Sequence, residues 1–269
     1  MKIYKPKKSL GQNFLKSEQA LREIIKAGEI KKDDVILEIG PGKGVLTARL
    51  LENSGRVIAV EKDRDLIGFL QEKFKHEIKE KRLTLANEDI LEFETKENKY
   101  KIIANIPYNI TGAILKKFLT EENQPELMVL MVQNEVAKRI VARDNKESIL
   151  SISVKAYGEP KMIMKVPSRY FSPAPKVDSA IIKIGGISKK LFSTNTGRSG
   201  TLTLDEEKFW SVIHAGFAHK RKILLGNLKG FDKNVKWGEI LSNIRKTDFK
   251  NVRAEDLSLN DWISLVNEG

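Results

Sequence analysis

The sequence predicts an α/β fold: a doubly wound, largely parallel sheet with an antiparallel hairpin at one edge, followed by a small all-α domain. Three observations carry this reading. Up to Ile184, short apolar runs alternate with amphipathic stretches, the signature of strand–helix–strand units. Two later runs, residues 161–166 and 180–184, have no helical stretch between them and so pair as an edge hairpin. After Gly185-Gly186 the strand pattern disappears.

Element by element, Val35-Ile36-Leu37-Glu38-Ile39 reads as a buried strand and residues 44–52 as the helix after it. Val57-Ile58-Ala59-Val60 is a second strand and residues 63–74 a second helix. Leu83-Thr84-Leu85 forms a short third strand. Ile102-Ile103-Ala104 is a fourth, with a helix over residues 111–119. The apolar run from Leu127 to Val132 is a fifth, with a helix near residues 135–142. The turn formers of residues 193–200 read as an exposed linker. Beyond it Asp205 is a good N-cap, and Phe209, Val212, Ile213 and Phe217 recur at helical spacing. Ser258 caps a final helix carrying Leu259, Trp262, Ile263 and Val266. Two domains are therefore expected, residues 1–186 and residues 187–269.

Composition narrows the function classes. The 269 residues are 41% hydrophobic, enough for a substantial core, and no apolar run is long enough to span a membrane. The basic N-terminus has no apolar segment behind it, so it does not read as a secretory signal. With no cysteine, disulfides, thiolate metal sites and thiol catalysis are excluded, and three scattered histidines do not suggest a metal centre. A cytoplasmic location is expected. A formal net charge of +12 favours a polyanionic partner over a membrane surface.

Two constellations carry chemistry. Glu38-Ile39-Gly40-Pro41-Gly42-Lys43-Gly44 lies between the first strand and its helix, where glycines allow close backbone approach to a ligand at the positive helix end. Such a turn binds a dinucleotide, binds S-adenosylmethionine, or merely turns the chain. Its Gly40-x-Gly42-x-Gly44 spacing departs from the dinucleotide fingerprint, which tilts against a nicotinamide cofactor. Glu61 ends the second strand, where a carboxylate can accept from both ribose hydroxyls of a bound nucleoside. Asp89 follows the third strand, where it can accept from an adenine amine or simply cap a turn. The second constellation is Asn105-Ile106-Pro107-Tyr108, closing the fourth strand. Asn offers an acceptor and a donor, Pro locks φ and leaves neighbouring carbonyls pointing outward, and Tyr supplies a flat face. Together these suit a planar base held by its exocyclic amine.

The tetrapeptide resembles the signature of adenine amino-group methyltransferases. The run from Lys8 to Leu15 (Lys-Ser-Leu-Gly-Gln-Asn-Phe-Leu) resembles the N-terminal motif of the KsgA/RsmA family, the 16S ribosomal RNA adenine dimethyltransferases. The likeness continues through the glycine turn, Glu61, Asp89 and Asn105 to Tyr108, and resumes at the run from Phe171 to Ser179, the family's F-x-P-x-P-x-V-D-S element. The run from Phe217 to Leu224 resembles the family's F-x-x-R-R-K-x-L helix start, with Lys220 where Arg is usual. That exchange keeps the charge but loses the bidentate fork.

The resemblance implies a class I (Rossmann-like) methyltransferase fold that uses S-adenosylmethionine and releases S-adenosylhomocysteine. It implies that Asn13 and Leu15 cover the donor, that Gly40 and Gly42 meet its methionine part and Glu61 its ribose, and that Asp89 meets its adenine, with Lys62 and Ile90 beside them. Asn105 would serve donor and target together. The Asn105 oxygen and the carbonyl of Ile106 or Pro107 would accept from the target amine, and Tyr108 and Phe171 would stack on its two faces. The implied substrate is a pair of neighbouring adenosines in a 3′-terminal hairpin of small-subunit RNA, within an immature 30S subunit, each dimethylated at N6. Lys5, Lys7, Lys8, Lys220, Arg221 and Lys222 would contact phosphates. A monomer is expected, with no metal and no membrane partner. The rival readings are an Erm-like methyltransferase of 23S RNA, and a ribosome-assembly or transcription factor of the same family that needs no turnover.

Overall fold

A computed structural model of the chain describes residues 6–7, 11–192, 204–245 and 249–269. The expected linker at residues 193–200 lies outside them. The chain divides into two units. One runs to Ala137 and resumes over Gly158–Ile187, and the other joins Lys138–Tyr157 to the chain from Ser188 onward. The single cut expected at residue 186 therefore misses a segment: residues 138–157 belong with the C-terminal helices.

In chain order the first unit contains β1 (Phe14–Leu15), α1 (Glu18–Ala27), β2 (Val35–Ile39), α2 (Val45–Asn53) and β3 (Arg56–Val60). Then come α3 (Arg64–Lys73), α4 (Lys75–Lys79), β4 (Leu83–Ala86), β5 (Lys101–Asn105), α5 (Thr111–Thr120) and β6 (Leu127–Gln133). The helix α6 (Asn134–Val141) leads out of this unit to α7 (Ile149–Lys155), and the chain returns as β7 (Glu159–Val166), β8 (Phe171–Ser172) and β9 (Ser179–Gly185).

Seven strands form one sheet in the order β4-β3-β2-β5-β6-β9-β7. Strands β2 to β6 are parallel, while β9 runs antiparallel to both β6 and β7. The edge hairpin expected from the two late apolar runs is thus present, with β9 inserted between β6 and the outermost strand β7. The burial patterns follow from these places. Leu127–Val132 of β6 is buried on both faces, which a central strand under helices requires, whereas β7 alternates exposed and half-buried residues. Each fully buried side chain of that run contributes about 1.5–3 kcal/mol. Helix α1 was not anticipated from the sequence; Ser17 caps it by accepting from the Ala20 amide at 3.2 Å, and Ala20, Leu21 and Ile24 face the core.

The parallel strands end together at one rim, so Gly40, Glu61, Asn87 and Asn105 all lie just beyond, or at, carboxyl ends of strands. This is where open α/β sheets bind ligands.

The second unit is helical: α7 with α8 (Glu206–Phe217), α9 (Leu224–Phe231), α10 (Trp237–Ile244) and α11 (Leu259–Glu268). Asp205 caps α8 through the Lys208 amide, and Ser258 caps α11 in a capping box with Asp261. Phe217 and Trp262 stack with centroids 5.7 Å apart, and Tyr157 packs on Phe192 and Trp210. Helices α9 and α10 carry a short apolar face each; α9 begins at Leu224, the end of the run expected to open a helix, whereas α10 has no counterpart among the sequence expectations.

Candidate active site

The glycine turn after β2 is held open by backbone geometry. Gly42 sits at φ +57°, and a Cβ there would stand 2.9 Å from the Phe14 ring. Gly44 caps α2 at φ +70°, and its Cβ would meet Phe74 at 2.4 Å. Both positions demand glycine for conformation and for space. Phe14, part of the N-terminal motif but given no role by the sequence, therefore lies against the turn, with the Lys43 ammonium 5.0 Å above its ring.

A cavity of about 220 Å³ opens at this rim of the sheet. Its walls bring together Asn13, Leu15, Gly40, Gly42, Glu61, Lys62, Asp89 and Ile90 with Asn105, Ile106, Pro107 and Tyr108. Every donor-site residue expected from the sequence lines one space, and all but one of the expected catalytic residues join it.

Glu61 is buried, and its carboxylate accepts from the Asp63 amide at 2.9 Å and the Gly42 amide at 3.2 Å. Burial raises its pKa, against those two amides. Glu38, 1% exposed, also lines the cavity, and its Oε2 has no hydrogen-bond partner among the described residues. Burial pushes its carboxyl up to about 8, with the Thr47 hydroxyl pulling against this and the Glu61 charge adding to it. Its signal in the sequence was present, an acidic residue inside an otherwise apolar strand.

Asp89 accepts from the Leu91 amide at 3.0 Å and from Lys62 Nζ at 2.7 Å, and the Lys62 ammonium holds its carboxyl below the usual range. Lys62 and Asp89 thus form an ion pair at the cavity wall.

At the other end, Asn105 terminates β5. Its Nδ2 donates to the Asn13 carbonyl at 3.1 Å. The amide is thereby oriented with Oδ1 as its remaining acceptor. Tyr108 is half-buried; its hydroxyl shares a 2.5 Å hydrogen bond with the Ser179 hydroxyl, and its carbonyl accepts from Thr111 Oγ1 at 3.1 Å. Ser179 is wholly buried on β9, so the hydroxyl end of the ring is anchored in the core and its backbone by Thr111.

One expectation is corrected, and another residue is found in further contacts. Phe171 does not present a face for stacking. It pairs with Leu15 in the small antiparallel β1–β8 sheet, is 2% exposed, and belongs to the hydrophobic core. A two-residue strand pairing over so long a separation leaves no periodicity to read. Lys7, expected on phosphate, donates to Asp63 and Asp65, both at 2.7 Å, and its side chain stays 42% exposed. Lys5 and Lys8 lie outside the described residues. Lys220, Arg221 and Lys222 are exposed in the helical unit, just before α9, and form no ion pair among the described residues.

Comparison with known proteins gives the chain's family and fold. The family model described as "Ribosomal RNA adenine dimethylase" matches residues 3–268. The chain is similar to a protein named "Ribosomal RNA small subunit methyltransferase A" from Dehalococcoides mccartyi, 41% identical over 98% of this chain and 88% of the relative. A protein of the same name from Fusobacterium nucleatum is 37% identical over 98% of this chain and 97% of the relative. Among solved structures, a dimethyladenosine transferase from Plasmodium falciparum superposes with a TM-score of 0.74 at 26% identity, covering 94% of this chain and 95% of that one. The 23S rRNA methyltransferase ErmE shares the fold, with a TM-score of 0.76 at 23% identity over 95% of this chain and 99% of that one.

Proposed function

The chain belongs to the ribosomal RNA adenine dimethylase family and is a methyltransferase; from that premise we propose that it dimethylates N6 of two neighbouring adenosines in a 3′-terminal hairpin of 16S ribosomal RNA, using S-adenosylmethionine. The observation that carries this reading is the shared cavity, which joins Glu61 to Asn105 and Tyr108.

The residues present fit the donor. Positive-φ glycines give it a backbone cradle, Glu61 places a buried carboxylate where ribose hydroxyls would donate, and the partnerless Glu38 Oε2 offers an acceptor in the same wall. Asn13, Leu15, Gly40 and Gly42 would flank the methionine part, and Lys62, Asp89 and Ile90 the adenine. When bound, the donor supplies an electrophilic methyl group on a sulfonium.

The protein's own task is then positioning and electrostatics. An adenine amine is a weak nucleophile because its lone pair is shared with the ring. Asn105 Oδ1 and the carbonyl of Ile106 or Pro107 accept its two hydrogens. This draws the nitrogen toward a tetrahedral shape and frees the lone pair. As positive charge grows on nitrogen, the same oxygens stabilise it, and no general base is needed, since the proton leaves to water. Tyr108 stacks on one face of the everted base, while Ser179 holds the ring plane. Phe171 is not assigned to the second face. Lys220, Arg221 and Lys222 bind RNA phosphate in this reading, and the enzyme acts in the cytoplasm on immature small subunits.

The test is incubation with labelled donor and either immature small subunits or large subunits, followed by mass analysis of the nucleosides. Dimethyladenosine in small-subunit RNA is expected. Label confined to large-subunit RNA would transfer the reading to the 23S alternative, and stoichiometric binding to small subunits without label to the assembly-factor alternative.

A further inference from the structure

Asp63 looks at first like a helix cap. It precedes α3, and its Oδ1 accepts from the Asp65 amide at 3.0 Å, which is all that a cap requires. Its surroundings exceed that need. The side chain is wholly buried. The same Oδ1 accepts from Lys7 Nζ at 2.7 Å, and Oδ2 accepts from Gln12 Nε2 at 2.9 Å. Gln12 in turn accepts from the Lys7 amide at 2.7 Å. Both partners come from the N-terminal segment, more than fifty positions away in sequence.

Gln12, Asn13 and Glu61, which adjoin this cluster, line the cavity. The Asp63 amide donates to Glu61 Oε1 at 2.9 Å, fixing the carboxylate assigned to ribose. The residue after Gln12 is Asn13, whose carbonyl accepts from Asn105 Nδ2 at 3.1 Å. A carbonyl in that place decides which way the Asn105 amide faces, because only the NH₂ group can donate to it. One buried carboxylate therefore touches the donor side through its own backbone and the target side through Gln12 and Asn13.

Resting on the methyltransferase reading above, we infer that Asp63 is a positioning residue for the reaction: by tethering Gln12 it holds the Asn13 carbonyl on the Asn105 amide, and so keeps Asn105 Oδ1 turned toward the target amine. Lys7 supports the tether by balancing the buried Asp63 charge. The role is distinct from capping, since asparagine caps a helix as well as aspartate does.

Gln12→Ala cuts the tether and leaves the cap. Asp63→Asn also keeps the cap while removing the charge that Lys7 and Gln12 answer. In single-turnover methyl transfer each is expected to lower the rate constant by about tenfold to 10²-fold, the upper end being the scale of a 1 Å misplacement of a reacting group. Donor dissociation constants from calorimetry should change much less, and the double variant should be no slower than the single ones. In ¹⁵N spectra the Asn105 side-chain amide signals should move in Gln12→Ala. An unchanged rate constant and an unmoved Asn105 amide in Gln12→Ala would overturn the inference, as would equal proportional losses of rate constant and donor affinity. If the parent protein transferred no methyl group at all, the functional reading would fail, and the Asn105 amide signals alone would still decide whether the tether exists.

Discussion

Two groups of basic residues, one in each unit, have opposite fates, although Lys146, Lys155 and Arg245 of the helical unit are themselves paired with acids. In the first, Lys7 is bonded to Asp63 and Asp65, Lys62 to Asp89, and the buried Lys101 to Asp34 and the Gly28 and Glu29 carbonyls. Their charge is consumed in shaping the cavity and the sheet beneath it. In the helical unit Lys220, Arg221 and Lys222 stand exposed in succession with no acidic partner among the described residues. The same side-chain chemistry thus builds a site in one place and remains available to a polyanion in the other. A net charge of +12 does not make this distinction; only the position of the acids does.

The comparison can be broken at three points. The largest effect belongs to the cavity. Asn105→Ala is expected to lower turnover by about 10²–10³-fold, as loss of one preorganised polar group does, while calorimetry still detects donor binding. Near-normal turnover would remove Asn105 from the chemistry. Next comes the helical unit. Replacing Lys220, Arg221 and Lys222 together by alanine should reduce the slope of log affinity for RNA against log salt by about two units. Lys7→Ala should barely move that slope. Equal shifts would mean that pairing with carboxylates does not withhold a lysine from RNA.

The smallest effect concerns Glu38. Its carboxyl titrates near 8 in the folded chain, above the ordinary value, so the native state holds the proton more tightly than the unfolded state. Stability from this group is fully present at low pH and declines as pH rises from about 4.5 toward 8. Glu38→Gln, neutral throughout, should therefore melt a few degrees above the parent at pH 8.5 and at nearly the same temperature at pH 4.5. Parallel melting curves at both values would refute the assignment.

Much of the sheet was legible because parallel strands buried on both faces leave continuous apolar runs, as Leu127–Val132 does, and because caps such as Asp205 and Ser258 mark helix starts. The cavity was legible because its chemistry sits at strand ends, where a single polar residue after an apolar run stands out; Glu61 and Asn105 are of this kind. What was missed depends on long-range partners. Phe171 reads as an available ring until Leu15 is found beside it. Lys7 reads as free until Asp63 is. Helix α1 is a different case, since Ser17, Leu21 and Ile24 gave a readable start and face. The assignment of Lys138–Tyr157 to the helical unit could not be read, because nothing in its local pattern distinguishes it from the helices covering the sheet.

That assignment has a practical side. The helical unit is threaded through its neighbour's sequence, with Tyr157 lodged on Phe192 and Trp210 and bonded to Glu206. Removing everything after Ile187 would strip those rings from Tyr157 and uncover Ile152 and Val154. A clean catalytic fragment would need a second excision and a splice from Ala137 to Gly158, so simple truncation at Ile187 leaves part of the helical unit behind.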